Sequence, residues 1–147
     1  MAWVHEHIFA GGGDHIAATW KQFSTQLDIQ AVVHLSYPEP LVFRGHLPEG
    51  FLWLDIEEEQ QADHAARELC GRFVHESISS GYNVLLHSKH GRHRTRWIYV
   101  AYLIYAGKQV RAALTQAEEK PWQAPYHTDR GNWSDFKDYL KDLRLPD

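Results

Sequence analysis

Residues 84–97 read VLLHSKHGRHRTRW, and the fold of the chain turns on how this stretch divides. Val84, Leu85 and Leu86 form a short apolar run, which suits a strand buried on both faces. From Arg94 onward, RTRWIYVAYLIYAG is apolar almost throughout and suits a buried helix. Between them lies a glycine-centred loop carrying Lys89, Arg92 and Arg94, with Arg96 just beyond. A loop joining a strand to a helix N-terminus turns backbone N–H groups into one small space. The helix dipole adds roughly half a positive charge there. Gly91 permits a backbone turn that a side chain obstructs. Arg94, in the first helical turn, can reach back with a planar fork matched to two oxygens of a phosphate. The stretch reads as an anion cradle. It is not of the nucleotide-binding kind, because GxxxxGK[ST] is absent.

Working outward, HIFAGGG reads as a short strand stopped by its glycines. DHIAATWKQFSTQL follows as a helix, with Asp14 as its cap and Ile16, Trp20, Phe23 and Leu27 at helical spacing. QAVVHLS and FLWLDI are strand-like, separated by the turn-rich PEPLVFRGHLPEG. EEEQQADHAARELCGRFVHESISSG reads as one helix with Ala62, Ala66, Leu69 and Phe73 on its apolar face and Gly81 after its end. KQVRAALTQAEE is a further helix and PWQAPYHTDRG a loop. NWSDFKDYLKDL closes the chain as a helix capped by Asn132, with Trp133, Phe136, Leu140 and Leu143 on one stripe. Helices alternating with strands predict an α/β fold: a central, mostly parallel sheet of about four to five strands flanked by helices. In such sheets ligands bind beyond the carboxyl ends of the strands, which is where the basic loop falls.

The bulk numbers set bounds. At 147 residues and 44% hydrophobic, the chain is expected to form a single domain, residues 1–147, with a substantial core. No apolar run approaches the ~18–20 residues of a membrane span. The opening MAWVHEHIFAGGG lacks the apolar centre of a secretory signal. A lone cysteine, Cys70, excludes an internal disulfide and points to a reduced, cytoplasmic setting. Cys70 falls on the apolar side of its helix and is expected in the core. With a net charge of −4, the chain is a poor generic nucleic-acid binder, so the basic loop is a local device. His87, His90 and His93 have a spacing of three, but no cysteine or acid completes a metal set beside them.

His87, residue 88, five further residues, Arg94 and Thr95 together resemble the signature of the cysteine-dependent protein tyrosine and dual-specificity phosphatases. Gly91 falls on the glycine of that signature. HIFAGGG is similar to the opening strand of the dual-specificity group, AVVHLS to its second strand, and FLWLDIEEEQQAD to its general-acid segment. The likeness runs from about residue 5 to residue 143. It implies a phosphate-binding loop running from Ser88 through Lys89, His90, Gly91, Arg92 and His93 to Arg94. It further implies that His87 supports the loop, that Thr95 assists the leaving group when a phosphoenzyme breaks down, and that no cofactor takes part. The general acid aligns with Glu58, with Asp55 and Glu57 as alternatives.

The departure that matters most is Ser88, which stands where the family carries its nucleophilic cysteine. In the family a thiolate attacks phosphorus, its pKa lowered by the loop amides, the helix dipole and the arginine. A serine hydroxyl ionises far less readily, and no base partner is evident in the loop. The chain is therefore expected to bind phosphomonoesters without turning them over efficiently. The serine is either native, making a pseudophosphatase that reads phosphorylated partners, or a substitution that disables a phosphatase and traps its substrate. A serine-dependent phosphotransferase is a third possibility. Arg96 is a further departure, a cation in the first helical turn that is tolerable where it faces an anionic ligand or solvent. Lys89 and Arg92 match basic positions of relatives that favour phosphoinositides or inositol phosphates. The expected partner is thus a phosphorylated protein, or a phosphoinositide or inositol phosphate.

Overall fold

The computed structural model describes residues 2–12, 16–35, 43, 47–56, 58–88, 95–120 and 126–144. Five strands form one sheet: β1 (Ala2–His5), β2 (Ile8–Gly12), β3 (Ile29–Leu35), β4 (Gly50–Leu54) and β5 (Asn83–Ser88). Their spatial order is β1-β2-β5-β3-β4. β2, β5, β3 and β4 run parallel, and β1 pairs antiparallel to β2 at one edge. The helices are α1 (Ile16–Gln26), α2 (His64–Ser79), α3 (Arg96–Tyr105), α4 (Val110–Glu118) and α5 (Arg130–Arg144). The mostly parallel α/β sheet expected from the sequence is present. β1 had no signal in the sequence, because the tight turn at Glu6–His7 contains no glycine, proline or asparagine to mark it.

Alternation along the strands builds two cores. On one face Ile8, Ala10, Ala31, Val33, Leu35, Val84 and Leu86 pack with residues of α2, α3, α4 and α5. On the other, Phe9, Val32 and Leu85 meet Trp20 and Phe23 of α1. β5 is central and buried on both faces, as its unbroken apolar run predicts. α3 is buried along nearly its whole length, with every residue from Arg96 to Ile104 enclosed.

Some expectations are corrected. The acidic stretch is not one helix with α2. Glu59–Gln61 form a single 3-10 turn, and α2 starts afresh at Asp63, whose carboxylate accepts the Ala66 N–H at 2.8 Å. That cap rotates the buried stripe to Arg67, Cys70, Gly71, Val74 and Ser77, leaving Ala66, Leu69 and Phe73 half-buried. Cys70 is in the core, where burial pushes its thiol pKa up. α5 begins before Asn132, because Asp129 takes the capping role: its Oδ1 accepts the Gly131 N–H at 2.8 Å. Trp133, Phe136 and Leu140 are buried, but Leu143 is 55% exposed at the end of α5. The predicted cap Asp14 lies outside the described residues. Gly81, at φ +89°, ends the turn after α2, where a side chain is strained.

Candidate active site

The parallel register brings the strand ends level. Gly12 and Leu35 both pair with Ser88, and Leu54 pairs with Leu35. Asp55, the next residue after β4, therefore emerges at the same carboxyl edge as Ser88. Ser88 closes the central strand and is only 3% exposed. Its neighbours along the alternation, Val84 and Leu86, face the four-helix side of the sheet.

His87 leaves the opposite face, which separates its side chain from that of Ser88. It sits in register with His34 on β3. Their rings meet edge to edge, with centroids 4.9 Å apart and planes 16° apart, and Nδ1 lies 2.8 Å from Nδ1. Two imidazole nitrogens at that separation share one proton: one ring donates and the other accepts. Both residues are buried. His34 is a partner of the strand end that no sequence motif marked. Only strand pairing across 53 residues of chain brings it to His87.

Lys89, His90, Gly91, Arg92, His93 and Arg94 lie outside the described residues, as does Glu57. The chain is described again at Thr95, which is buried and whose carbonyl accepts the Ile98 N–H at 3.0 Å as α3 begins. Of the two surroundings expected for Arg96, solvent is excluded. The residue is 2% exposed, with its guanidinium 5.1 Å from the ring centre of Tyr126. Burial lowers its pKa, and Tyr126 and Glu118 oppose that shift. The π-face supplies part of the attraction that water supplies elsewhere.

The acid-bearing segment follows β4. Asp55 and Glu58, the candidate acids, are both exposed. Glu59 beside them is not free. Its Oε1 accepts the Tyr126 hydroxyl at 2.8 Å and the Thr128 hydroxyl at 2.6 Å. Trp133 Nε1 donates to Thr128 Oγ1 at 2.8 Å. Arg67 brings Nη2 to 4.0 Å from the same Glu59 oxygen and stacks its guanidinium 4.2 Å over Trp133. The Arg67 side chain is 5% exposed, and its Nε and Nη1 make no hydrogen bond among the described residues. Burial lowers its pKa, against the pull of Glu59. Burial, then the Glu59 carboxylate, drives the Tyr126 hydroxyl well above the ordinary tyrosine range. A cleft of about 490 Å³ runs along this network, lined by Glu59, Gln60, Arg67, Tyr126, His127 and Asp129 among others. The sequence reading missed the network entirely. Its one signal was an arginine inside a helix stripe, and the wrong helix start hid that.

Among the described residues no group of three or more His, Cys, Asp and Glu side chains is placed to hold a metal. No described helix is long and apolar enough to cross a membrane.

The fold recurs in solved structures. Human DUSP28 superposes with a TM-score of 0.69 at 21% identity, over 97% of this chain and 94% of that one. The fold is that of the dual-specificity phosphatases. PTPMT1 in complex with PI(5)P shares the phosphatase fold at a TM-score of 0.76 and 14% identity, over 97% of each chain. The human tyrosine phosphatase-like serine/threonine/tyrosine-interacting protein shares it at 0.68 and 16%, over 96% of this chain and 93% of that one. No family model matches the sequence, and no curated protein matches it. The likeness to the phosphatase fold is thus one of backbone architecture, at identities where side chains have largely diverged.

Proposed function

We propose that this protein binds phosphate monoesters in the loop Ser88–Arg94, and that its parent chemistry is phosphomonoester hydrolysis, disabled at one atom by Ser88. The observation that carries the reading is the placement of Ser88: buried, at the end of the central strand of a phosphatase fold, with α3 starting at the far side of the loop. Arg94 would hold the transferring phosphoryl group, whose charge spreads over its equatorial oxygens, together with the loop amides. With cysteine at position 88, the thiolate would attack phosphorus and the bond to the leaving oxygen would break. Glu58 or Asp55 would give that oxygen its proton. Water would then cleave the phosphocysteine, the same carboxylate taking up the proton and Thr95 assisting the departing sulfur. With serine the phosphate would be held but not transferred, for a serine hydroxyl ionises far less readily than a thiol. His87, leaving the other face and engaged by His34, supports the loop from beneath.

In this reading the ligand is a phosphorylated protein. A phosphoinositide or inositol phosphate is the second reading, favoured by Lys89 and Arg92 in the loop and by the PI(5)P complex of PTPMT1. A native, inactive binding module remains the alternative for the chain as a whole, supported by the fold it shares with the tyrosine phosphatase-like interacting protein. The single buried thiol fits a reduced, cytoplasmic setting.

The test is turnover of an aryl phosphate by the protein, by Ser88→Cys, and by Ser88→Cys/Arg94→Ala. Turnover by Ser88→Cys alone supports a phosphatase disabled at position 88. Absence of turnover in all three, in folded protein, refutes the disabled-enzyme reading and leaves the binding module.

A further inference from the structure

Glu59 is placed unlike the two exposed acids beside it. Its carboxylate is half-buried and already takes two hydroxyl donors, from Tyr126 and Thr128, with Arg67 behind it. A carboxylate so engaged is poorly placed to give a proton to a ligand. Its neighbour Glu58, at the start of the same short turn, is exposed.

The segment needs a hold from elsewhere in the chain. Ile56 and Ala62 are buried on either side of it. Between them the described residues form a short 3-10 turn held by local bonds. Gln61 Oε1 accepts the Glu58 N–H at 3.0 Å, Gln61 N donates to Glu58 O at 3.0 Å, and Ala62 N donates to Glu59 O at 3.0 Å. A single 3-10 turn of this kind is weak by itself. The bonds of Glu59 reach instead across 67 and 69 residues of chain. Hydroxyls donating to a carboxylate are among the stronger hydrogen bonds. One of the donors, Tyr126, lies against the guanidinium of Arg96, the first residue of α3.

We propose that Glu59 is a positioning residue: through Tyr126 and Thr128 it fixes the acid-bearing segment Asp55–Glu58 relative to the N-terminal end of α3, where the phosphate loop ends. The proposal rests on the phosphatase reading above and assigns Glu59 no contact with substrate. Arg67 balances its charge, and Trp133 anchors both Thr128 and Arg67.

The test compares two substrates that differ in their need for an acid. An aryl phosphate with an acidic phenol leaves without protonation, whereas an alkyl phosphate does not. In the Ser88→Cys background, Glu59→Ala is expected to lower kcat/KM, which reports the first transfer and not the shared hydrolysis step, by at least about tenfold on the alkyl phosphate and by less than about threefold on the aryl phosphate. Tyr126→Phe removes one tether, keeps the ring beneath Arg96, and should show the same split more weakly. It also serves if Glu59→Ala fails to fold. Equal losses on the two substrates mean a general structural role and overturn the proposal, as does no loss on either. Should Ser88→Cys turn over neither substrate, the phosphatase reading fails, and the tether is read separately in the chain carrying Ser88. Amide exchange at Gln61 and Ala62 should then quicken in Tyr126→Phe while the amides of α3 hold their rates. Unchanged exchange at Gln61 and Ala62 overturns the anchoring itself.

Discussion

Replacing Gly71 with alanine tests whether α2 and α3 meet as closely as the site requires. A Cβ built on Gly71 falls 2.9 Å from the carbonyl oxygen of Ala101 and 2.9 Å from Cβ of Tyr105, both on α3. Carbon contacts settle at about 3.5–4.0 Å, so the helices must part by several tenths of an ångström. Neither neighbour can swing aside: the Ala101 oxygen is backbone, and the Tyr105 Cβ is fixed to the backbone whatever its rotamer. Overpacking of this kind costs about 1–3 kcal/mol, and two immovable contacts place it in the upper half of that range. Alanine recovers roughly 1 kcal/mol over glycine in a helix interior. The net loss is about 1–2 kcal/mol, which for a chain of this size lowers Tm by roughly 2–8 °C. Gly131→Ala is the control. Its added Cβ meets the Asp129 carboxylate that caps α5, at 3.1 Å, and the roughly 1 kcal/mol that alanine gains over glycine offsets a weakened cap. That variant should stay within about 1 kcal/mol of the parent. Thermal and urea unfolding followed by circular dichroism measure both. A Gly71→Ala protein as stable as Gly131→Ala refutes the close crossing. The crossing matters for the proposed function because Thr95 and Arg96 stand at the start of α3, directly after the stretch proposed to bind phosphate.

Two further expectations follow from other parts of the fold. Asp63→Ala removes the acceptor for the Ala66 N–H, and urea unfolding should show a loss of about 0.5–2 kcal/mol. An unchanged midpoint would mean that α2 starts elsewhere. His5, packed edge-on against Tyr99 and Tyr102, has its pKa lowered below the ordinary 6.5, chiefly by burial and then by His7 and Lys120. The unfolded chain therefore binds that proton more readily than the folded one. Its contribution to stability is present above about pH 6.5 and is lost as pH falls below that value. His5→Asn should flatten the slope of stability against pH just below about pH 6.5, and an unaltered slope would exclude His5 as its source.

The sequence by itself determined the alternation of strands and helices, because hydrophobic period is a local property. Val84–Leu86 had to be a central strand and the stretch after Arg94 a buried helix, whatever surrounded them. The motif between them, Ser88, Gly91 and Arg94 at set spacing, is equally local, and the loop it predicts lies outside the described residues. Asp63 shows where local reading failed. Three glutamates before an alanine look helical, yet a carboxylate able to cap the Ala66 N–H restarts the helix and turns its buried face. Only the tertiary structure decided what lies on either side of the site. His34 reaches His87 through strand register, and Glu59 reaches Tyr126 and Thr128 across the chain. Arg96, exposed by its position in a helix's first turn, is buried because Tyr126 returns to cover it. Such partners are matched by shape and charge at long sequence separation, and neither periodicity nor spacing carries that information.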